Sequence, residues 1–236
     1  MNDVTSDWVD FWENQTVMND RSWEKNMELF LSGSESFFPF HNKDVVLDIG
    51  SGPGFLAFFL KDRVDSIHCI DTSRRYVDEG RSRFSQNGNV SFDVIGSNYL
   101  DFSFLNDKKF SKIVCSSVIQ YYKDIDEVEQ LIIEVRKHAF SGAEMLIADI
   151  QVNMEPIKDL VGLLTTSFKN RYLLQVIKFI FKSFGGEYSK IRKNKGLLTL
   201  KKSDLDEITK KLQLNAEWRD DVLTLNNSRK HLLIRF

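Results

Sequence analysis

"VVLDIGSGPGFLAFFL", residues 45–60, decides how the rest of the chain is read. Apolar residues run into an acidic one, Asp48. Glycines follow at alternate positions, Gly50, Gly52 and Gly54, and the chain then turns apolar again. Without Cβ atoms, such a run turns tightly after a strand and lets a ligand press on the backbone. Pro53 suits the first turn of the helix that follows. The free N–H groups of that helix would favour a negative group on the ligand. A dinucleotide-binding loop reads G-x-G-x-x-G. Here the run is G-S-G-P-G-F, so the third glycine comes one position early and Phe55 stands in its place. Asp48, two residues before the first glycine, would repel a pyrophosphate. A ligand with a carboxylate, an ammonium and a ribose but no phosphates fits better, its ammonium near Asp48. Twenty-one residues after Gly50, "IHCIDTS" sets Asp71 at the end of a second strand. A carboxylate there can accept both ribose hydroxyls.

Outward from this stretch the chain alternates. Strand-like apolar runs fall at about 45–49, 66–70, 91–95, 112–117 and 144–149, with helical patterns near 53–62, 73–85 and 126–139. In the last, Ile125, Val128, Leu131, Ile132 and Val135 recur at helical spacing, and Asp124 or Asp126 caps the start. Near-continuous apolar strands alternating with helices predict a parallel sheet covered on both faces. At the C-terminus two strand-like runs flank the turn signal Asn226-Asn227 and predict a closing antiparallel hairpin.

"LDIGSGPGFLA" followed by "IDTS" resembles the class I S-adenosylmethionine-dependent methyltransferases. "VSFDVIGSNYLDF", "FSKIVCSSVIQYYKDID" and "GAEMLIADI" agree with the family's third, fourth and fifth strands, in order. The resemblance covers roughly residues 40 to 150. It implies a Rossmann-like, doubly wound α/β fold: a seven-stranded sheet, mostly parallel, with a C-terminal antiparallel hairpin and helices on both faces. It also implies S-adenosyl-L-methionine as co-substrate and no metal. By the same resemblance Asp48, Gly50, Ser51, Gly52 and Gly54 form the methionine-binding loop. Asp71 is the ribose residue, and Thr72 lies against adenine. Where the family often has an aspartate for the adenine amino group, this chain has Ser97 and Asn98. Ser116 and Ser117 end the fourth strand beside the methionine moiety.

Methyl transfer is an in-line displacement with a neutral leaving group, so it needs alignment, exclusion of water and sometimes a base. Many family members place a histidine pair after the fourth strand. Gln120 and Tyr121 occupy those positions here, which removes the usual base and leaves Tyr121 and Gln120 as the only catalytic candidates, Tyr122 being equally a core aromatic. His68, His138 and His231 lie within strands or at a helix end.

At 236 residues and with two-fifths of them apolar, the chain suits one domain with a sizeable core. We expect a single methyltransferase domain over 1–236, made of an N-terminal helical lid (1–42), a cofactor-binding core (43–150), a helical insertion or substrate cap (151–202), and a final helix and hairpin (203–236). The first segment is acidic and aromatic. Trp8, Phe11 and Trp12 recur at helical spacing, which suits packing as well as a lid. In the insertion, Arg171, Gln175, Lys178 and Lys182 form one stripe beside Leu174, Ile177 and Phe181, a basic amphipathic helix. Its readings are a solvated lid face, an anionic substrate, peripheral membrane contact through 171–184, or RNA.

The net charge of -2 and the absence of an N/D-P-P-Y-type sequence argue against nucleic acid. The start, MNDVTSDWVDFWENQ, lacks a signal's basic and apolar segments, and a cytoplasmic location is expected. Cys69 and Cys115, with one strand expected between them, would lie about 9–10 Å apart, too far for a disulfide. The expected function is methyl transfer to an oxygen or nitrogen of a small or medium-sized acceptor, anionic if the insertion binds it. The alternatives are an RNA or protein methyltransferase using 169–202, or a non-catalytic S-adenosylmethionine-binding scaffold.

Overall fold

The computed structural model describes residues 4–14, 21–96, 98–152, 164–165, 187–226 and 228–236. The five apolar runs become β1 (Val45–Ile49), β2 (Ser66–Asp71), β3 (Val90–Val94), β4 (Phe110–Ser116) and β5 (Ala139–Ile150). With β6 (Asn215–Arg219) and β7 (Lys230–Arg235) they form one seven-stranded sheet of order β3-β2-β1-β4-β5-β7-β6. Only β7 runs against its neighbours β5 and β6; the pairs among β1 to β5 are parallel. This is the Rossmann-like, doubly wound arrangement that the alternation predicts.

The helices are α1 (Val4–Asn14), α2 (Arg21–Ser34), α3 (Phe55–Leu60), α4 (Arg74–Arg83), α5 (Ile125–Lys137), α6 (Glu187–Lys195) and α7 (Lys202–Lys211). Successive strand residues point to opposite faces, and the two cores divide accordingly. Leu47, Ile49, Ile113, Met145 and Ile147 pack with Val128, Leu131, Ile132 and Val135 of α5 and Leu205 and Ile208 of α7. Val46, Ile67, Cys69, Val114 and Leu146 pack with Phe30 of α2, Leu56 and Leu60 of α3, and Val77 of α4. Asp124 is the cap of α5, its Oδ1 accepting from the Glu127 N–H at 3.3 Å. β1 does lie between the buried free cysteines Cys69 and Cys115.

Two predicted details differ. The strand pairing with β7 is not the run beside Asn226 but residues 215–219, eleven residues upstream of Lys230 at its nearest. Within the run Val222–Leu225, Leu223 and Thr224 are instead buried, and Leu223 joins the core beneath α2. Leu223 is fully buried, Gly33 lies so close that a Cβ there would meet the Val222 carbonyl at 2.6 Å, and Asn26 Oδ1 accepts from the Leu225 N–H at 3.0 Å. Burial against a helix thus outweighs the local turn signal. Pro53, expected inside the helix, lies in the turn before α3, whose N-cap is Gly54. Residues 171–184, the predicted basic amphipathic helix, lie outside the described residues. Among the described residues no helix is long and apolar enough to cross a membrane.

The contact of α4 with β3 gives a first test. A Cβ on Gly80 would come within 2.3–2.7 Å of three Phe92 ring atoms, and that ring is buried and stacked on Phe84 at 5.7 Å. Alanine favours a helix interior by about 1 kcal/mol over glycine, whereas overpacking a core costs about 1–3 kcal/mol. Gly80→Ala is therefore expected to lower the denaturation midpoint despite its better helix propensity. A raised midpoint would mean that the Phe92 ring yields freely.

Candidate active site

Strand order reverses at β1, which has β2 on one side and β4 on the other. In open α/β sheets ligands bind at the carboxyl ends of the strands at such a point. The glycine run lies there. Gly50, Gly52 and Gly54 all have positive φ, 70°, 55° and 84°, which is why other residues would be strained at each. Gly50 also faces Val118: a Cβ would meet its Cγ2 at 2.3 Å. Gly54 is excluded from larger residues by Phe92 and Phe84, at 2.7 and 2.9 Å from a Cβ. That glycine therefore serves helix–sheet packing more than a ligand.

The loop is tied to Asp71. Its Oδ2 accepts from the Gly52 N–H and its Oδ1 from the Ser73 N–H, both at 2.8 Å. The Gly50 and Ser51 N–H groups donate to the Ile70 carbonyl. These amides are thus consumed inside the protein, while the Asp71 carboxylate, which also accepts from the Thr72 N–H, keeps lone-pair capacity for a ligand. Ser73 caps α4 through its own side chain, accepting from Tyr76 N–H at 3.3 Å, so Asp71 is free of that duty.

A cavity of about 1140 Å³, mouth included, opens above this loop. Asp48, Gly50, Ser51, Asp71 and Thr72 line one side, Ser116, Ser117, Val118 and Tyr121 the other, and Trp8, Trp12, Trp23 and Met27 roof it. The acidic side is unusual in its electrostatics. Burial, followed by the charge of Asp71, raises the Asp48 pKa to about 7. Burial raises Asp71 to about 6, against the lowering effect of its backbone hydrogen bonds, and Glu13 of α1 adds a repulsive charge. One Glu13 carboxylate oxygen is itself buried without a hydrogen-bond partner. Two buried carboxylates lining one space, with a third charge acting on Asp71, favour a cation and disfavour a pyrophosphate.

Opposite them the walls are aromatic. Trp8 meets Tyr121 at 4.9 Å and Tyr188 of α6 at 5.4 Å, and Trp12 meets Tyr121 at 5.6 Å. Burial holds the Tyr121 hydroxyl well above its ordinary pKa, as it does Tyr122 and Tyr188, so all three are neutral at physiological pH. The N-terminal tryptophans are at once core, since Trp8 is 1% exposed, and cavity wall. Gln120 is buried, its Nε2 donating to the Ser117 carbonyl at 3.3 Å.

The other predicted positions divide. Asn98 does not line the cavity. Its Oδ1 accepts from the Leu100 N–H at 3.3 Å in an exposed turn, and Ile95 and Tyr99 form the nearby wall. Ser97 lies outside the described residues. The Ser116 hydroxyl is buried without a partner in the cavity wall. His68 and His231 have pKa values lowered chiefly by burial, His68 to about 4. His231 uses both ring nitrogens, Nδ1 accepting from the Asp149 N–H and Nε2 facing the Asp221 carbonyl at 2.9 Å. Neither supplies a base to the cavity. Glu13, Tyr188, Asp149 and Arg229 lie behind the cavity lining and were not marked by the sequence, because no motif singles them out and only chain folding brings α1, α6 and the loop before β7 to this end of the sheet. Among the described residues no group of His, Cys, Asp or Glu is arranged to hold a metal.

The strand order, the glycine loop and the acidic residues ending β1 and β2 are those of the class I S-adenosylmethionine-dependent methyltransferase fold. Residues 46–142 match the family described as "Methyltransferase domain". No curated protein matches it in sequence. Among solved structures it resembles the N-methyltransferase NodS of Bradyrhizobium japonicum WM9, solved with S-adenosyl-L-homocysteine, at 16% identity and TM-score 0.58, over 99% of this chain and 98% of that one. It also resembles the YcgJ protein of Bacillus subtilis, at 17% identity and TM-score 0.55, over 82% of this chain and 70% of that one. The phosphoethanolamine N-methyltransferase 1 of Haemonchus contortus, solved with phosphoethanolamine and S-adenosylhomocysteine, aligns at 14% identity and TM-score 0.51, over 63% of this chain but only 32% of its own.

Proposed function

We propose that the chain transfers the methyl group of S-adenosylmethionine to a nitrogen or oxygen of a small or medium-sized acceptor. The observation that carries the donor is the buried pair Asp48 and Asp71 lining one end of the cavity, with the charge of Glu13 acting on Asp71. The donor brings an ammonium and a sulfonium and no phosphate, which suits such a site. Asp48 would face the ammonium, Asp71 the ribose hydroxyls, and Thr72, Ile95 and Tyr99 the adenine. Two of the fold's relatives are N-methyltransferases, which supports nitrogen beside oxygen as the acceptor atom. An acceptor of metabolite size is favoured over a macromolecule because α1 roofs the cavity, with Trp8 almost fully buried.

In the reaction the acceptor's lone pair attacks the methyl carbon, the carbon–sulfur electrons return to sulfur, and the acceptor proton leaves afterwards or beforehand. The aromatic roof would exclude water, and the neutral Tyr121 hydroxyl would orient the acceptor by a hydrogen bond. With no histidine facing the cavity, a neutral amine or an already ionised oxygen is the acceptor that this wall suits.

Calorimetric titration tests the reading. S-adenosylmethionine and S-adenosylhomocysteine should each bind with micromolar affinity, and NAD should not. Failure of both in a folded sample, or tight binding of NAD, would overturn it.

A further inference from the structure

Behind the cavity wall formed by Ser117 and Tyr121, on the side away from Asp48 and Asp71, lies a cation that is incompletely paired. Arg229, in the loop before β7, has its side chain 12% exposed and its Nε 3.5 Å from Asp149 Oδ1. Both Nε and Nη1 are buried without a hydrogen bond. Asp149 does not complete them because it is engaged elsewhere. Its Oδ2 accepts from the Ser117 hydroxyl at 2.7 Å, and the Thr224 hydroxyl lies 3.3 Å from its Oδ1. A buried charged donor left without an acceptor is costly, and such groups in native proteins call for an explanation.

The surroundings point to a ligand. Ser117 lines the cavity and has φ 61°, and its partner Asp149, ending β5, has φ 65°. Two adjoining non-glycine residues in left-handed conformation at the carboxyl ends of neighbouring strands are the kind of strain found at binding sites. Tyr121, another lining residue, is hydrogen-bonded to Tyr188, and Tyr188 feels the charges of Arg192, Arg229 and Asp149. The cavity wall and the Arg229 group are therefore continuous through Ser117 and through the tyrosine pair.

We infer that the methyl acceptor carries an oxyanion, a carboxylate or a phosphate, which Arg229 holds at the β4–β5 end of the cavity beside the Tyr121 and Tyr188 hydroxyls. The inference rests on the methyltransferase reading and adds the acceptor's chemical class. Guanidinium suits both oxyanions, being planar, permanently charged and weakly hydrated. Donor and acceptor are thereby sorted by charge. The cationic donor is held at the acidic end and the anionic acceptor at the basic end, with the methyl group between them.

The test uses the full chain saturated with S-adenosylhomocysteine and four probes of one size: benzoate, phenyl phosphate, benzamide and benzylamine. Their aromatic bodies suit the walls formed by Trp8, Trp12 and Tyr121. Binding is read by calorimetry and tryptophan fluorescence. At least one oxyanion probe should bind tenfold or more tighter than benzamide and benzylamine. Arg229→Gln should remove that preference while leaving the affinity for S-adenosylhomocysteine within about twofold. Equal binding of all four probes, binding of none, or a preference for benzylamine would overturn the inference, as would an unchanged preference in Arg229→Gln. Should that variant unfold because Asp149 loses its counter-charge, Asp149→Asn/Arg229→Gln removes both charges together, and the wild-type preference is decisive in any case. If S-adenosylhomocysteine itself fails to bind, the donor reading falls, and the same probes titrated into the protein alone still report on Arg229.

Discussion

Asp71→Ala is expected to weaken S-adenosylhomocysteine binding at least a hundredfold. Two losses combine. The ribose hydroxyls lose a charged acceptor, a contribution of about 1.5–3 kcal/mol for a charge-assisted hydrogen bond. The Gly52 and Ser73 N–H groups also lose the carboxylate that holds the glycine turn against the start of α4. Leaving such buried donors unpaired costs about 1–3 kcal/mol each, so the variant should also melt at a lower temperature. Asp71→Asn separates the two effects. Its side-chain carbonyl still accepts from one of the two amides while the charge is gone, so it should retain more of the stability than of the affinity. Calorimetry and thermal melts of both variants check this. A folded Asp71→Ala protein that binds as tightly as wild type would remove Asp71 from the donor site.

Asp48→Asn is expected to do the reverse for stability, strengthening the empty protein at pH 8 while binding is lost. Asp48 has its folded pKa near 7 and an ordinary value of 3.8. Between roughly pH 4 and 7 the folded state therefore holds a proton that the unfolded chain has released. Stability from this group falls as pH rises through that window and is lowest above it. At 1.36 kcal/mol per pKa unit, the stability withheld above pH 7 is on the order of 2–4 kcal/mol. Asparagine has no proton to lose, so the variant should melt several degrees above wild type at pH 8, and the two should converge near pH 4. The comparison between variant and wild type matters because His68 and His231, with lowered pKa values, act in the opposite sense between pH 4 and 6.5 in both proteins. An ammonium ligand requires the ionised carboxylate. Wild-type affinity for S-adenosylhomocysteine should accordingly fall as pH drops below 7, by up to tenfold per unit, with proton release on binding. Equal melting at pH 8 together with unchanged affinity would show that Asp48 is neither a strained charge nor a donor contact.

Both residues were legible in the sequence, for a physical reason. A carboxylate ending each of two apolar strands, with glycines between them, occupies positions fixed by local geometry alone. The strand ends where its apolar run ends, and the turn needs positive φ. Asn98 was less legible. Its position after β3 is local, but the direction of its side chain depends on the turn it makes with Leu100, which faces it away from the cavity. The closing strand pair was half legible. The β7 run was apparent, whereas its partner was decided by burial of Leu223 under α2.

The sequence by itself determined the parallel core, the glycine loop, and Asp48 and Asp71, because strand periodicity, turn chemistry and an acidic residue at a strand end are short-range properties. Only the tertiary structure decided the roof and the acceptor end. Trp8 and Glu13 come from residues 4–14, Tyr188 from α6 and Arg229 from the final loop. Nothing in their neighbours along the chain distinguishes them from ordinary surface or core residues. What distinguishes them is where folding sets them around the cavity: Glu13 beside Asp71 at the end of β2, and Tyr188 and Arg229 behind Tyr121 and Ser117 at the ends of β4 and β5.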